Sequence, residues 1–274
     1  MPSIVIGIPG LWQTPAHAIS ALQEQRLRWT DLDRSKSALT DCTDWSELTS
    51  QVVDEERGGA MTVEIYPPSE QLVWSYNIMS GGKLSQKLLR DIERHTMTLY
   101  LVTDEAPGES TAAKAMRFAA KVLRAGGLST KSECSGAVKS ADEFLVWCEA
   151  SERGLTRLAA LRSLAVLVHD PTTARTGTYS AGLHQLGCRD TVVADCGTTG
   201  IEALNILCEY LVLSQPEIAD GDTFTPEGIG RRFTLKMEED TIFEEDHLYR
   251  NPFGRWRLLP HQQGLWSTIK KTFR

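Results

Sequence analysis

Two histidines close to acidic and phenolic residues are where this sequence could carry acid–base or metal chemistry. The candidate catalytic set is His169, Tyr179, His184 and Asp190, which lie within one turn-rich stretch. Imidazole titrates near neutral pH and loops at strand ends collect functional side chains, so this set would suit a hydrolase or transferase. No HxH or HExxH spacing is present, so neither a metal nor another cofactor is predicted. The favoured alternative is structural, with both histidines supporting loops.

Two glycine-rich segments share part of the pattern of a phosphate-binding loop. In Ser80-Gly81-Gly82-Lys83-Leu84 the earlier glycine of a P-loop is replaced by Asn77, and leucine follows the lysine where Ser or Thr would hold magnesium. We interpret this segment as a turn that enters a helix. Cys196-Gly197-Thr198-Thr199-Gly200 opens another helix, whose free N–H groups could bind an anion. An N-cap at Thr199 would satisfy the same groups and is the favoured interpretation.

A run of carboxylates over residues 238–246 is the main candidate for a partner-binding surface. It encloses two apolar side chains, so charge could steer a basic protein while the apolar pair anchors it. The alternative is a solvated loop or strand edge. The candidate contact residues are Glu238, Glu239, Asp240, Ile242, Phe243, Glu244, Glu245 and Asp246.

The last stretch of the chain, residues 250–274, is basic and interleaved with aromatic residues. Such a pattern could bind RNA by stacking and charge. The acidic run lies next to it and has the opposite sign. We therefore expect its charges to pair with that run and its tryptophans to pack on the body of the protein.

The segment around which the chain is organised, residues 96–135, has the pattern of a strand, a helix and a second strand. Residues 99–102 form a short apolar run that suits a buried strand. An amphipathic helix follows, with Ser110 as its expected N-cap and Gly126-Gly127 as its end. The basic residues of this helix are expected on the side away from the apolar stripe. They are Lys114, Arg117, Lys121 and Arg124.

Shorter patterns predict the remaining elements. Alternation of apolar and polar residues predicts a half-buried strand over residues 61–66, and residues 71–77 are predicted to form another strand. Capping boxes indicate helices that start at Ser140 with Glu143 and at Thr199 with Glu202.

Strands that alternate with helices predict an α+β fold, an α/β sandwich in which a mixed sheet carries packed helices. The start of the chain echoes the central segment, which favours two ferredoxin-like halves joined in one wide sheet. We predict a single domain over residues 1–274, with residues 214–274 as a loop-rich C-terminal extension packed on it.

Composition argues against several classes of protein. The formal net charge of -7 disfavours a nucleic-acid partner, which needs a basic surface. No apolar stretch is long enough to cross a bilayer and the N-terminus lacks a secretion signal, so no membrane partner is expected. The 6 cysteines contain no C-x-x-C pair, which predicts free thiols in a reducing cytoplasm.

Several phrases of the sequence resemble a bacterial domain of unknown function. They are VIGIPGLW at 5–12, VEIYPP at 63–68, AAKAMRFAAKVLRAGGLSTKSECSG at 112–136, YSAGLHQLGCRD at 179–190 and NPFGRWRL at 251–258. Members of that family look like stand-alone cytoplasmic proteins, sometimes encoded near polymorphic toxin and type VI secretion genes. The resemblance implies an immunity or accessory role and supplies no catalytic residue.

The sequence therefore predicts a non-enzymatic cytoplasmic protein that binds a protein partner. The specific form that the resemblance implies is an immunity protein that neutralises a toxin or effector by occluding its active site. A hydrolase or transferase that uses the His, Tyr and Asp set is the second hypothesis. A structural accessory of a secretion system is the third.

Overall fold

The computed structural model describes residues 3–30, 49–169, 177–194 and 197–261. These residues form helices and two sheets, which confirms the predicted α+β class. Three predicted features lie outside the described residues: the free thiols of Cys42 and Cys196 and the end of the basic stretch at 262–274.

The first sheet has seven strands, and every neighbouring pair is antiparallel. Its strands are β1 (Ile4–Gly10), β2 (Leu27–Trp29), β3 (Thr49–Asp54), β4 (Ala60–Tyr66), β5 (Met97–Thr103), β6 (Ser129–Ser132) and β7 (Val138–Ser140). They lie in the order β2-β3-β4-β5-β1-β6-β7. All seven residues of β1 are buried, so the sheet is covered on both faces at its centre.

Seven α-helices lie within the described ranges. They are α1 (Pro15–Glu24), α2 (Glu70–Met79), α3 (Gln86–Glu93), α4 (Glu109–Arg124), α5 (Ala141–Ala150), α6 (Thr156–Leu164) and α7 (Gly197–Ser214). A π-helical turn, Ser151–Leu155, joins α5 to α6, and a short 3₁₀ helix spans Leu183–Leu186.

Four strands of the first sheet and two helices have ferredoxin-like connectivity. Along the chain they run β1-α1-β4-β5-α4-β6, with β2 and β3 inserted before β4 and with α2 and α3 inserted before β5. In the sheet they lie in the order β4-β5-β1-β6. The predicted strand–helix–strand segment is thus β5-α4-β6, with β1 antiparallel between its two strands.

The second sheet contains the later strands. They are β8 (Val166–His169), β9 (Thr178–Ala181), β10 (Asp190–Val193), β11 (Thr223–Phe224), β12 (Phe233–Glu238) and β13 (Arg255–Pro260). Their order is β11-β12-β13-β10-β9-β8, and only β10 and β13 of the described pairs are parallel. The prediction of one wide sheet is wrong, because the chain leaves β7 through α5 and α6 and its later strands pair with one another. These strands also do not repeat the ferredoxin-like order, since α7 joins two three-stranded meanders.

A single cluster of buried apolar residues extends over both sheets. It includes Ile6 and Leu101 of the first sheet, Phe118 of α4, and Leu235 and Leu258 of the second sheet. The helices that follow β7 therefore pack between the two sets of strands.

Residues 71–77, which the sequence predicted as a strand, form the middle of α2. Pro67-Pro68 follows β4 and Ser69 takes the N-cap position of the helix. The buried residues of α2 are Leu72 and Tyr76, which are one helical turn apart. The β-favouring composition misled the prediction, and the four-residue spacing of the buried pair was the better indicator.

One of the three predicted caps is present. Ser140 Oγ accepts a hydrogen bond from the Glu143 N–H, and Glu143 Oε2 accepts one from the Ser140 N–H, so this capping box is confirmed. The other two predictions are wrong. Because α4 begins at Glu109 and α7 at Gly197, Ser110 and Thr199 lie inside first turns.

The basic side of α4 is partly buried: Arg124 is exposed, whereas the two lysines are covered. Lys114 and Lys121 are buried. Lys121 Nζ donates to Asp54 Oδ1 and to Glu56 Oε2, both at 2.8 Å, and Arg117 Nε donates to Asp54 Oδ2 at 2.9 Å. The carboxylates at the β3–β4 hairpin therefore bind this side of α4 to the sheet.

Candidate partner-binding surface

The predicted acidic segment starts at the end of β12 and continues into the connection to β13. We call residues 239–254 the acidic loop. Asp240 lies at its base with no exposed side-chain surface, and it accepts hydrogen bonds from Arg255 Nε at 2.7 Å and Nη2 at 2.9 Å. The N–H of Asn251 donates to Asp240 Oδ2 at 2.8 Å. The two ends of the loop are thus joined by a buried bidentate ion pair.

Aromatic stacking closes the loop into a tight turn. The rings of Phe243 and His247 stack with centroids 4.9 Å apart, so residues 244–246 form the tip between them. Phe243 also packs edge-on against Tyr179 of β9 and against Tyr249. The loop is therefore fixed to the second sheet by its own side chains.

The two apolar residues predicted as partner contacts face inward. Ile242 and Phe243 are half-buried and pack against a cluster that contains Tyr179 and Val192. The guanidinium of Arg255 lies over the Phe243 ring, 5.6 Å from its centroid. This placement favours a structural role for both residues, and Asp240 shares that role.

The carboxylates at the tip face outward. Glu239, Glu244, Glu245 and Asp246 are exposed, and none of them forms an ion pair with another described residue. Glu238 differs, because its carboxylate accepts a hydrogen bond from Arg257 Nε at 2.7 Å. Together with the Asp240–Arg255 pair, this contact confirms that the basic stretch neutralises part of the acidic run.

An exposed apolar face of α2 continues this surface. The Tyr249 hydroxyl donates to Met79 Sδ at 3.9 Å, which places the end of α2 against the acidic loop. Trp74 is 69% exposed, Ile78 50% and Met79 40%. Trp74 and Ile78 share one helix face, and Met79 follows at the end of the helix. We call Trp74, Ile78 and Met79 with the tip residues 244–246 the docking surface.

Gly136 lies beneath the contact between α2 and the acidic loop. Its φ of +78° is in the left-handed region, and a Cβ there would lie 2.6 Å from Tyr249 Oη and 2.8 Å from Met79 Sδ. Burial raises the pKa of the Tyr249 phenol well above its usual value, and the charge of Glu133 adds to this, so the hydroxyl stays a donor at neutral pH.

The candidate catalytic residues are only partly brought together. His184 Nδ1 lies 3.9 Å from Asp190 Oδ2, beyond hydrogen-bond distance, and has no hydrogen-bond partner among the described atoms. Tyr179 precedes Ser180 in β9, so its side chain points to the other face of the strand. His169 ends β8 and pairs with Thr178 in the sheet.

The polar groups around Asp190 form a buried structural network. Ser180 Oγ donates to Asp190 Oδ1 at 2.8 Å, the N–H of Leu183 donates to the same oxygen at 3.2 Å, and Asn251 Nδ2 donates to Asp190 Oδ2 at 2.8 Å. Asp190, Ser180 and His184 are each at most 5% exposed. The Ser180 proton is directed at the carboxylate and not at a histidine, so the arrangement lacks the serine–histidine contact of an activated nucleophile.

The cysteines of the described residues are inert as nucleophiles. Burial raises the pKa of the Cys134, Cys148 and Cys208 thiols to about 12 and that of Cys188 to about 11. Within the described residues, no group of three or more His, Cys, Asp or Glu side chains is placed to hold a metal ion. No helix within them combines the length and apolar character needed to cross a membrane.

Comparisons with protein-family models, with curated proteins and with solved structures each give no match. The resemblance of the sequence to a domain of unknown function therefore stays a prediction.

The acidic half of the docking surface was predicted from the sequence, and the apolar half was not. Residues 71–77 were predicted as a strand, which hid the exposed pair Trp74 and Ile78. The sequence did contain a helical spacing. Leu72 and Tyr76 are four residues apart, as Trp74 and Ile78 are, and the two pairs lie on opposite sides of the helix.

Proposed function

We propose that this chain is a binding protein and that its docking surface holds a protein with a basic face. The observation that carries this proposal is the Tyr249–Met79 contact, which places the end of the exposed apolar face of α2 against the loop that carries the unpaired carboxylates. Carboxylates next to a basic face increase the rate of encounter and select the partner. Exposed aromatic and aliphatic residues supply the affinity once they are covered.

The rigidity of the acidic loop supports the proposal. The Asp240–Arg255 pair fixes its base, and the stacked Phe243 and His247 rings fix its tip. The N–H of Ile242 also donates to Asp240 Oδ1 at 3.1 Å, and the N–H of His247 donates to the carbonyl of Glu244 at 3.1 Å. A loop already held in its bound shape loses less conformational entropy on binding, so more of the contact energy appears as affinity.

The narrower form of the proposal is an immunity protein that covers the active site of a toxin or effector. The resemblance described above motivates it. A basic active-site face is what an enzyme that acts on nucleic acid needs, because it must hold phosphates. A nucleic-acid-cleaving toxin is therefore the kind of partner that the docking surface fits.

The test is binding between the purified chain and the purified product of the adjacent gene, measured by isothermal titration calorimetry. We expect a complex at micromolar concentration or tighter. The double variant Trp74→Ala, Ile78→Ala should weaken it by about 2–4 kcal/mol, as removal of central interface anchors does. The matched control is Val146→Ala with Leu155→Ala, which removes apolar side chains that are 59% and 53% exposed elsewhere.

Association kinetics test the role of the carboxylates at residues 244–246 of the docking surface. The triple variant Glu244→Gln, Glu245→Gln, Asp246→Asn should slow association about tenfold at low salt and much less at high salt. The control Glu24→Gln, Glu217→Gln, Glu227→Gln removes the same net charge from other exposed sites. Absence of a complex at micromolar concentration, or equal effects of both triple variants, would contradict the proposal.

A further inference from the structure

Two clefts meet on the side of the first sheet where α3 and α5 begin. The larger, of about 480 Å³, lies between the turn that enters α3 and the start of α5. The smaller, of about 330 Å³, is bordered by α6, β8 and α7. Lys83 and Lys139 line both, so these two lysines lie where the clefts join. Lys83 follows the Gly81-Gly82 turn that has part of the P-loop pattern.

Three lysines that line the larger cleft have no acidic partner in an ion pair. Lys83 and Lys87 are exposed and Lys139 is half-buried, and none of them forms an ion pair within the described ranges. Other lysines of the chain do pair, as Lys121 does with Asp54. The three lysines of the larger cleft therefore offer free cations to an anionic ligand, while Asp91, Asp142 and Glu143 bring an equal number of carboxylates to the same cleft.

Two helices begin at the wall of the larger cleft. Ser85, the N-cap of α3, and Ser140, the N-cap of α5, both line it. Each hydroxyl accepts one hydrogen bond, from the N–H of Leu88 at 3.1 Å and of Glu143 at 3.3 Å. The first N–H groups of α3 have no acidic residue in the first turn and add positive potential to that of the lysines, whereas those of α5 lie beside Asp142 and Glu143, which offset them.

The other residues that line the larger cleft indicate which kind of ligand would fit it. Half-buried apolar side chains form part of the wall: Leu84, Leu88, Leu128 and Val138. Asp91 and Asp142 also line the cleft, and Glu143 is engaged in the capping box. These carboxylates would repel a long polyanion but can accept hydrogen bonds from hydroxyl groups. The lining thus suits a small molecule with one anionic end, hydroxyl groups and an apolar or planar part.

We propose that Lys83 and Lys139 at the junction, together with Lys87 of the larger cleft, bind the phosphate of a small organic phosphate that carries hydroxyl groups, such as a nucleotide or a sugar phosphate. The lysines bind the phosphate as point charges. The hydroxyl groups donate to the carboxylates Asp91 and Asp142, and the apolar part covers Leu84 and Leu88. The cleft begins at Ser80, next to the end of α2, but no residue of the docking surface lines it.

The test uses four probes with the full chain: inorganic phosphate, ribose 5-phosphate, adenosine 5′-monophosphate and uncharged adenosine. Binding is followed by NMR chemical-shift changes at the first-turn amides of α3 and α5. We expect both organic phosphates to bind more tightly than inorganic phosphate, and adenosine not to bind. The variant Lys83→Gln, Lys139→Gln should lower the affinity about tenfold, because two charge contacts are lost.

The control Lys236→Gln removes a lysine of β12 that is 57% exposed and should leave binding unchanged. The variant Trp74→Ala, Ile78→Ala should also leave it unchanged, which separates this site from the partner-binding proposal. Three results would overturn the proposal: no shifts with any probe, equal affinity for inorganic and organic phosphates, or equal binding by the lysine variant and the control. Equal affinity would mean that the lysines attract an adventitious ion only.

Discussion

Two buried clusters of charge, one holding a helix to the first sheet and one holding a loop to the second, differ in their access to water. In the first, Asp54 at the end of β3 accepts from Lys121 and Arg117 of α4. In the second, Asp240 of the acidic loop accepts from Arg255 of β13. Both carboxylates have 0% side-chain exposure, but Arg117 is 23% exposed and Arg255 only 2%.

The difference indicates different roles. If a charged partner in the Asp54 cluster is removed, water and the 58% exposed Glu56 can replace part of its interaction with the remaining charges. The Asp240–Arg255 pair is closed off, so loss of one partner leaves an uncompensated charge in a low-dielectric interior. The closed pair lies under the loop that carries the proposed partner-binding carboxylates. The pair supports the proposed binding because it fixes that loop in one shape.

The largest effect is expected from Arg255→Met, which breaks the closed pair while keeping much of the side-chain volume. The free energy of unfolding should fall by about 3–5 kcal/mol, the usual cost of leaving a buried charge unpaired. Urea denaturation followed by circular dichroism measures it. The control Arg257→Met removes a cation whose pair with Glu238 is about one-quarter exposed on each side. It should cost at most about 1 kcal/mol.

Asp54→Asn should have the second-largest effect, about 2 kcal/mol, because Lys121 keeps Glu56 as a partner, Arg117 keeps the Gly58 carbonyl, and water reaches both. A loss as large as that of Arg255→Met would show that the two clusters do not differ in solvent access.

The stability of the wild-type protein should also depend on pH through Asp54. Burial alone would raise the pKa of this carboxyl, but hydrogen bonds from Lys121, Arg117 and the Glu56 and Arg57 amides outweigh burial, so its pKa lies below the usual value. The stabilisation is complete above the unfolded-chain pKa of about 3.9 and is lost as the pH falls through the lower native value. The stability difference between wild type and Asp54→Asn should therefore shrink below about pH 4.

The sequence predicted elements where one physical signal dominated. The apolar run of β5, the amphipathic α4 and the Ser140 capping box each depend on neighbouring residues, and the structure shows all three. The division into two sheets depends on which strands pair over long distances, and alternation within a strand carries no such information. The same limit hid the burial of Lys121, because its partner Asp54 is 67 residues away.

The same contrast between local signals and long-range contacts applies to the candidate site. Local charge identified the run at 238–246, and its sign explained the pairing with Arg255 and Arg257. The contact between Tyr249 and Met79 joins residues 170 positions apart, so no local pattern could have placed α2 beside the acidic loop.

Gly136→Ala tests whether the acidic loop depends on the first sheet through this contact. The substitution puts a Cβ against Tyr249 and Met79 at a φ of +78°, so we expect a loss of about 1–3 kcal/mol and weaker partner binding. Gly228→Ala is the matched control, because Gly228 has the same φ of +78° but no atom within 4 Å of the new Cβ. If both variants lose the same free energy of unfolding, the whole cost comes from backbone strain and none from the contact with Tyr249 and Met79.

The smallest effect on stability is expected at the exposed face of α2. Trp74→Ala with Ile78→Ala should change the free energy of unfolding by less than about 0.5 kcal/mol, because neither side chain is buried and alanine favours the helix. Urea denaturation checks this before any binding assay. A larger loss would mean that these side chains pack on the protein itself, and the apolar half of the docking surface would then belong to the fold. If the variant keeps its stability but loses partner binding, the exposed face of α2 serves binding, whereas the two clusters of charge serve the fold.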